Sequence, residues 1–233
     1  MKPLILPDFR TLADPEKAKI LQGFFKTGPG EYGEGDIFLG ITVPKIRAFA
    51  KTQKPLSLEA IASMLYSVYH EERLLALILL VNRFKKSDET GRQIIFDLYV
   101  RHTPRINNWD LVDLSAPYIV GPFLFNRPRK ALYALADSAD LWERRVAIVA
   151  TFAFIRNNDF TDTLKIAAKL LNDKADLIHK AVGWMLREVG KRDQKILEDF
   201  LKTRYLKMPR TMLRYAIERF EEKHRQAYLQ NKI

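Results

Sequence analysis

Apolar residues recur at helical spacing along almost the whole chain. In "PEKAKILQGFFK", "EERLLALILLVNRFKK", "DLWERRVAIVATFAFIRN" and "ADLIHKAVGWMLREVGKR" they return every three or four residues, so each run winds into a helix with one apolar face. The same spacing predicts helices in "TVPKIRAFAK", "SLEAIASMLYS", "SDETGRQIIFDLYVRH", "NWDLVDLSAPYIVG", "RPRKALYALAD", "FTDTLKIAAKLLN", "QKILEDFLKTR" and "PRTMLRYAIERFEEKHRQ". Asp14 followed by Pro15 is an N-cap with proline at the first helical position, and Thr42 opens the next helix in the same way. Strict alternation with β-branched residues is rare, so no sheet is expected. The breakers are short. "VGPF" is one, and "GPGEYGEGD" reads as a flexible loop between helices. The pattern predicts an all-α chain of about a dozen helices.

The helices repeat. The residues that open successive inner helices are Arg73, Trp109, Arg145, Lys180 and Arg214, at intervals of 36, 36, 35 and 34. A period in the mid-thirties of paired helices marks an α-solenoid, in which each pair buries its apolar face only by stacking on the next. Four of the five register positions are basic, which predicts a basic stripe down one concave face.

Composition narrows the chemistry. With 233 residues, 47% of them hydrophobic and 29% charged, the chain can bury a substantial core, and residues 1–233 are expected to form a single domain. The absence of cysteine excludes disulfides, thiolate zinc sites and thiol nucleophiles. The longest apolar run, Leu74 to Val81, is eight residues, too short for a membrane span. The first residues are too acidic and too short in apolar length for a signal peptide, so a cytoplasmic location is expected. The net charge of +11 lies mostly in residues 101–233, which hold 25 Lys+Arg against 16 Asp+Glu. That excess suits a polyanion such as nucleic acid, and suits equally a basic protein with evenly spread charge.

No phosphate-binding loop, nucleophile elbow, HExxH or dinucleotide fingerprint occurs. The four histidines, His70, His102, His179 and His224, lack ligand spacing and read as surface residues; no metal site is expected. What remains is a constellation at matching register positions. Trp109 and Asp113 share one helix face at i and i+4, and Arg145 begins the next inner helix. Lys180, Trp184 and Arg187 share a face at i, i+4 and i+7 on the one after. In a regular solenoid these side chains point into one groove.

"NWDLVD", "LWERRVAIV" and "IHKAVGWMLREVGK", with "GEGDIFLGITVPKIR" upstream, resemble the signature segments of the AlkD-type DNA alkylation repair proteins. The resemblance runs from about Pro15 to Phe220. It implies about six HEAT-like helix pairs and a monofunctional glycosylase that excises N3- and N7-alkylated purines from duplex DNA, working as a monomer without cofactor or obligate protein partner near the nucleoid. By the same resemblance Asp113 is the catalytic carboxylate, and Trp109 and Trp184 are aromatic walls around the lesion's sugar. Arg145 and Arg187 grip the backbone, with Arg144, Lys180 and Arg214 expected beside them on DNA. Phe24 falls where the family carries a tyrosine, so a hydroxyl is lost there, and Asn108 stands where some members carry a second aromatic. Two other readings of the same solenoid stay open: a non-catalytic binder of DNA or RNA structure, and a protein–protein scaffold.

Overall fold

A computed structural model describes residues 3–233. Among the described residues there are sixteen α-helices, four short 3-10 turns and no strand; one isolated bridge joins Ile37 and Tyr69. The chain divides into two compact units, residues 1–115 and 116–233.

The first unit holds α1 (Pro7–Arg10), α2 (Pro15–Phe24), α3 (Val43–Thr52), α4 (Leu58–Met64), α5 (His70–Lys86), α6 (Glu89–Arg101) and α7 (Trp109–Asp113). Side-chain caps start four of them: Asp14 accepts from Lys17 N at 3.1 Å, Ser57 from Ala60 N at 3.1 Å, Asp88 from Gly91 N at 2.8 Å and Asn108 from Trp109 N at 2.8 Å. The axis of the unit is α5. Its run Leu74–Ile78 is buried all round because α3, α4, α6 and α7 all pack against it. Burying each such leucine contributes about 1.5–3 kcal/mol.

The first turn of α5 is buried although it reads His70, Glu71, Glu72, Arg73. Every one of these side chains has a dedicated partner. The Glu71 carboxylate accepts from Leu39 N (2.8 Å), Gly40 N (2.8 Å) and Ile41 N (3.1 Å). Gly40 has φ +81°, and a Cβ there would fall 2.0 Å from the Asp14 carbonyl, so only glycine lets the chain pass. Glu72 takes Arg10 Nε at 2.6 Å and the Ser67 hydroxyl. The segment expected to be a flexible loop is therefore fastened. Its turns close through Gly33 N to Lys26 O (3.1 Å) and Asp36 N to Gly33 O (3.0 Å), and Asp36 ends buried.

The second unit holds α8 (Val120–Leu124), α9 (Lys130–Ala136), α10 (Leu141–Ala150), α11 (Phe152–Ile155), α12 (Thr161–Lys169), α13 (Asp176–Arg192), α14 (Gln194–Lys202), α15 (Arg210–Ala216) and α16 (Glu222–Leu229). Here α10 packs on α13, and α13 on α15. Gly183 allows the second approach: a Cβ there would lie 2.5 Å from the Met212 carbonyl and 2.5 Å from Tyr215 Cβ. Arg145, Lys180 and Arg214 are each the fifth residue of these three helices, so the sequence period corresponds to neighbouring helices inside this unit.

Three predicted helices are broken. "DLWERRVAIVATFAFIRN" divides at Thr151, whose hydroxyl bonds back to the Ile148 carbonyl at 2.6 Å. "PRTMLRYAIERFEEKHRQ" divides because Phe220 is buried and Glu221 is extended (ψ 140°). "NWDLVDLSAPYIVG" becomes α7, a 3-10 turn and α8.

Candidate functional site

Trp109 opens α7 and Asp113 closes it. Both are half-buried, and four residues of helix place them about 6 Å apart along the axis on one face. The Trp109 ring is fixed on several sides. It lies on Phe25 with ring centres 5.0 Å apart and planes at 12°, and meets Phe24 edge-on at 6.0 Å. Its Nε1–H donates to the Tyr32 hydroxyl at 3.3 Å. Phe24 is 63% exposed, so it adds an apolar edge beside Trp109 that water reaches. A hydroxyl does stand beside the tryptophan, but Tyr32 supplies it from the glycine-rich loop.

Beneath this aromatic group lies a buried charge cluster. His70, 1% exposed, places Nδ1 3.1 Å from Asp36 Oδ2 and Nε2 2.8 Å from Asp110 Oδ2. Arg73 Nη2 donates to Asp36 Oδ1 at 2.5 Å, and Asn108 Nδ2 donates to Asp36 Oδ2 at 3.0 Å. Burial works against charge on His70, but Asp110 and then Asp36 outweigh it and raise the imidazolium to about 9. Burial alone would raise the Asp36 carboxyl; the His70 hydrogen bond and the Arg73 charge hold it below the ordinary carboxylate range. The expectation of surface histidines therefore fails for His70 and for His102, both buried. Nothing in local spacing announces the cluster, although four polar residues directly before the longest apolar run were a signal that they are buried with partners.

The cluster has a stability consequence. A histidine raised above its ordinary 6.5 stabilises the fold fully below that pH, and the contribution disappears as pH rises through about 9. The thermal midpoint is expected to decline from neutral pH into that range, and differential scanning calorimetry of His70→Gln should show a flatter profile there. Equal slopes in the two proteins would place the titration elsewhere.

In the second unit Trp184 is half-buried on α13, with Phe152 at 6.0 Å between ring centres. Lys180, one turn earlier, pairs with Asp176 at 2.8 Å. Arg187, one turn later on the same side, pairs with Glu218 and lies 3.6 Å from Glu188. Arg144 is held by Asp173 (Nε to Oδ2, 2.6 Å) and by the Ala139 carbonyl at 2.7 Å. Arg214 is exposed and has no ion pair among the described residues.

The expected basic stripe is thus not uniform. Arg73 is 6% exposed, bonded to Asp36 as above, and Arg145 is 5% exposed with Nη1 2.6 Å from the Leu177 carbonyl. Both were expected on an open face; each is drawn inward by an acceptor from another segment. Among the described residues no three His, Asp or Glu side chains gather to hold a metal ion, and no helix is long and apolar enough to cross a membrane.

The family model described as "DNA alkylation repair enzyme" matches residues 5–220. A solved structure described as a predicted DNA alkylation repair enzyme from Enterococcus faecalis superposes with a TM-score of 0.70. It has 19% sequence identity, covering 90% of this chain and 97% of that one. The crystal structure of AlkD2 from Streptococcus mutans gives a TM-score of 0.55 at 16% identity, covering 89% of this chain and 99% of that one. At these identities the likeness concerns the fold. No curated protein matches the chain.

Proposed function

Since the chain belongs to the DNA alkylation repair enzyme family, we propose that it is a monofunctional DNA glycosylase. It hydrolyses the N-glycosidic bond of cationic N3- and N7-alkylpurines and leaves an abasic site. The observation that carries this reading is the Trp109–Asp113 pair, a carboxylate one helical turn from an aromatic face that Phe25 and Tyr32 hold in place.

An alkylpurine of this kind already bears a positive charge. It leaves as a neutral base, taking the bonding electron pair, and needs little help from an acid. Positive charge then develops on the deoxyribose. Asp113 stabilises that charge and orients the water that attacks C1′, accepting its proton. The face of Trp109 attracts the same cation and keeps solvent away. In this reading Trp184 contributes a second aromatic surface, and Arg187, Lys180 and Arg214 contact phosphates. Arg187 exchanges Glu218 for phosphate on binding, whereas half-buried Arg144 and buried Arg145 act mainly by shaping α10 and its neighbours.

The test is incubation with duplex DNA containing N7-methylguanine and chromatography of the released base. Free N7-methylguanine above the spontaneous background, with an intact abasic strand, is expected. Bound duplex without release would leave a non-catalytic DNA-binding member of the family. Uracil, hypoxanthine and 8-oxoguanine are neutral and should be poor substrates or none. A borohydride-trapped complex would reveal an amine nucleophile that this mechanism lacks.

Phosphate contact predicts a salt signature. Arg187→Ala and Arg214→Ala should each weaken binding to any duplex and reduce the log–log salt slope by about one unit. Slopes equal to wild type in both variants would put these residues outside the footprint.

A further inference from the structure

The two neighbours of Trp109 are more deeply buried than Trp109 itself. Asn108 is 0% and Asp110 6% exposed, while the tryptophan between them is half-buried. Both neighbours lead to one imidazole. Asp110 accepts from His70 Nε2 and, through its other oxygen, from Leu111 N at 2.8 Å. Asn108 gives its amide to Asp36, the second carboxylate on that imidazole, and its Oδ1 accepts from Trp109 N at 2.8 Å. A third path runs through rings. His70 lies 4.6 Å from Phe38 and 5.1 Å from Phe25, and Phe25 stacks on Trp109.

We propose that His70 is a positioning residue for Trp109: its doubly bonded ring fixes the orientation of the turn Asn108–Asp110 and thereby the aromatic face beside Asp113. The consequence for catalysis rests on the glycosylase reading; the geometric role does not.

The chemistry favours a device that orients over one that only stabilises. A buried ion cluster contributes little net stability compared with well-packed apolar side chains. Its directionality is what apolar packing lacks. Two ring nitrogens, both protonated, satisfy two carboxylates at opposite edges of one plane. A neutral imidazole has a single N–H, so one carboxylate would then face a lone pair and that side of the clamp would open. Charge adds to this. Asp36 and Asp110 are faced by Arg73 and by the imidazolium, two against two. The remaining acids of the same turn are engaged elsewhere, Glu71 on the backbone of Leu39 to Ile41 and Glu72 on Arg10 and Ser67. Loss of the His70 proton leaves one buried negative charge unmatched.

The test uses the full chain labelled with 5-fluorotryptophan, its three resonances (Trp109, Trp142, Trp184) assigned by single Trp→Phe variants. Fluorine spectra are followed from about pH 6 to about pH 10. The Trp109 resonance should move in one transition near pH 9, and Trp142 and Trp184 should not follow it. In His70→Gln the transition should vanish and the resonance should be displaced at every pH. In Asp110→Asn the transition should move to lower pH, because the carboxylate that does most to raise His70 is gone. Single-turnover release of N7-methylguanine by His70→Gln should fall by on the order of 10²-fold or less, with duplex affinity unchanged. A Trp109 resonance indifferent to both pH and His70→Gln would overturn the proposal, as would a folded His70→Gln protein with the wild-type rate. If wild type itself releases no base, the glycosylase reading fails while the fluorine titration still decides the clamp. If His70→Gln does not fold, the wild-type and Asp110→Asn titrations decide it.

Discussion

Asp113→Asn is expected to reduce excision of N7-methylguanine by about 10²–10³-fold, which corresponds to about 2.7–4 kcal/mol of lost transition-state stabilisation. The side chain keeps its shape and its place at the end of α7 and loses only its charge. In the proposed reading the phosphates are contacted by Arg187, Lys180 and Arg214, so affinity for undamaged DNA should stay near the wild-type value. Spontaneous loss of the cationic base sets a floor, and rates must be read after subtracting it. Single-turnover kinetics with excess protein make the comparison. A variant as fast as wild type would remove Asp113 from the mechanism.

Asp36→Ala is expected to cost about 3–5 kcal/mol of stability, the range for removing one partner of a buried ion pair. The size of the effect follows from what is left behind. Asp36 serves Arg73, His70 and Asn108 at once. Without it Arg73 Nη2 and a ring N–H are buried with no acceptor, the guanidinium keeps only the Ser67 carbonyl at 3.1 Å, and the Asn108 amide loses its own acceptor. The loop from Gly33 to Asp36 loses its anchor too, and Tyr32 in front of Trp109 with it. Denaturant unfolding should show a lower midpoint, and release of N7-methylguanine should fall below the variant's melting temperature as well. A loss under about 1 kcal/mol would mean that the cluster relaxes or takes in water. Asp36→Asn should be milder, since the amide oxygen still accepts one of the three bonds.

The sequence alone determined the all-α class, most helix positions and the pairing of Trp109 with Asp113 on one face. Each of these depends on residues within a few positions of one another. Apolar spacing selects a helix and its face, a cap such as Asp14 or Asp88 fixes where it starts, and four residues bring two side chains together. The regular place of Arg145, Lys180 and Arg214 was legible for the same reason, because a repeated local pattern repeats the same turn of helix.

What only the tertiary structure decided was which polar residues are covered. His70 meets carboxylates 34 residues before it and 40 residues after it, and no local pattern states that the three converge. The apparent flexibility of "GPGEYGEGD" followed from its glycines, yet Glu71 and Arg73 on α5 hold its end and the segment just after it. Arg145 had the spacing of an open-face cation, and the Leu177 carbonyl took it inside. Tyr32, the hydroxyl partner of Trp109, lies 77 residues from it. Local spacing sets the direction in which a side chain leaves its helix. Whether it meets water, an acceptor or a ring there depends on a segment folded over it from elsewhere in the chain, and for a charged group that difference fixes its ionisation and its role.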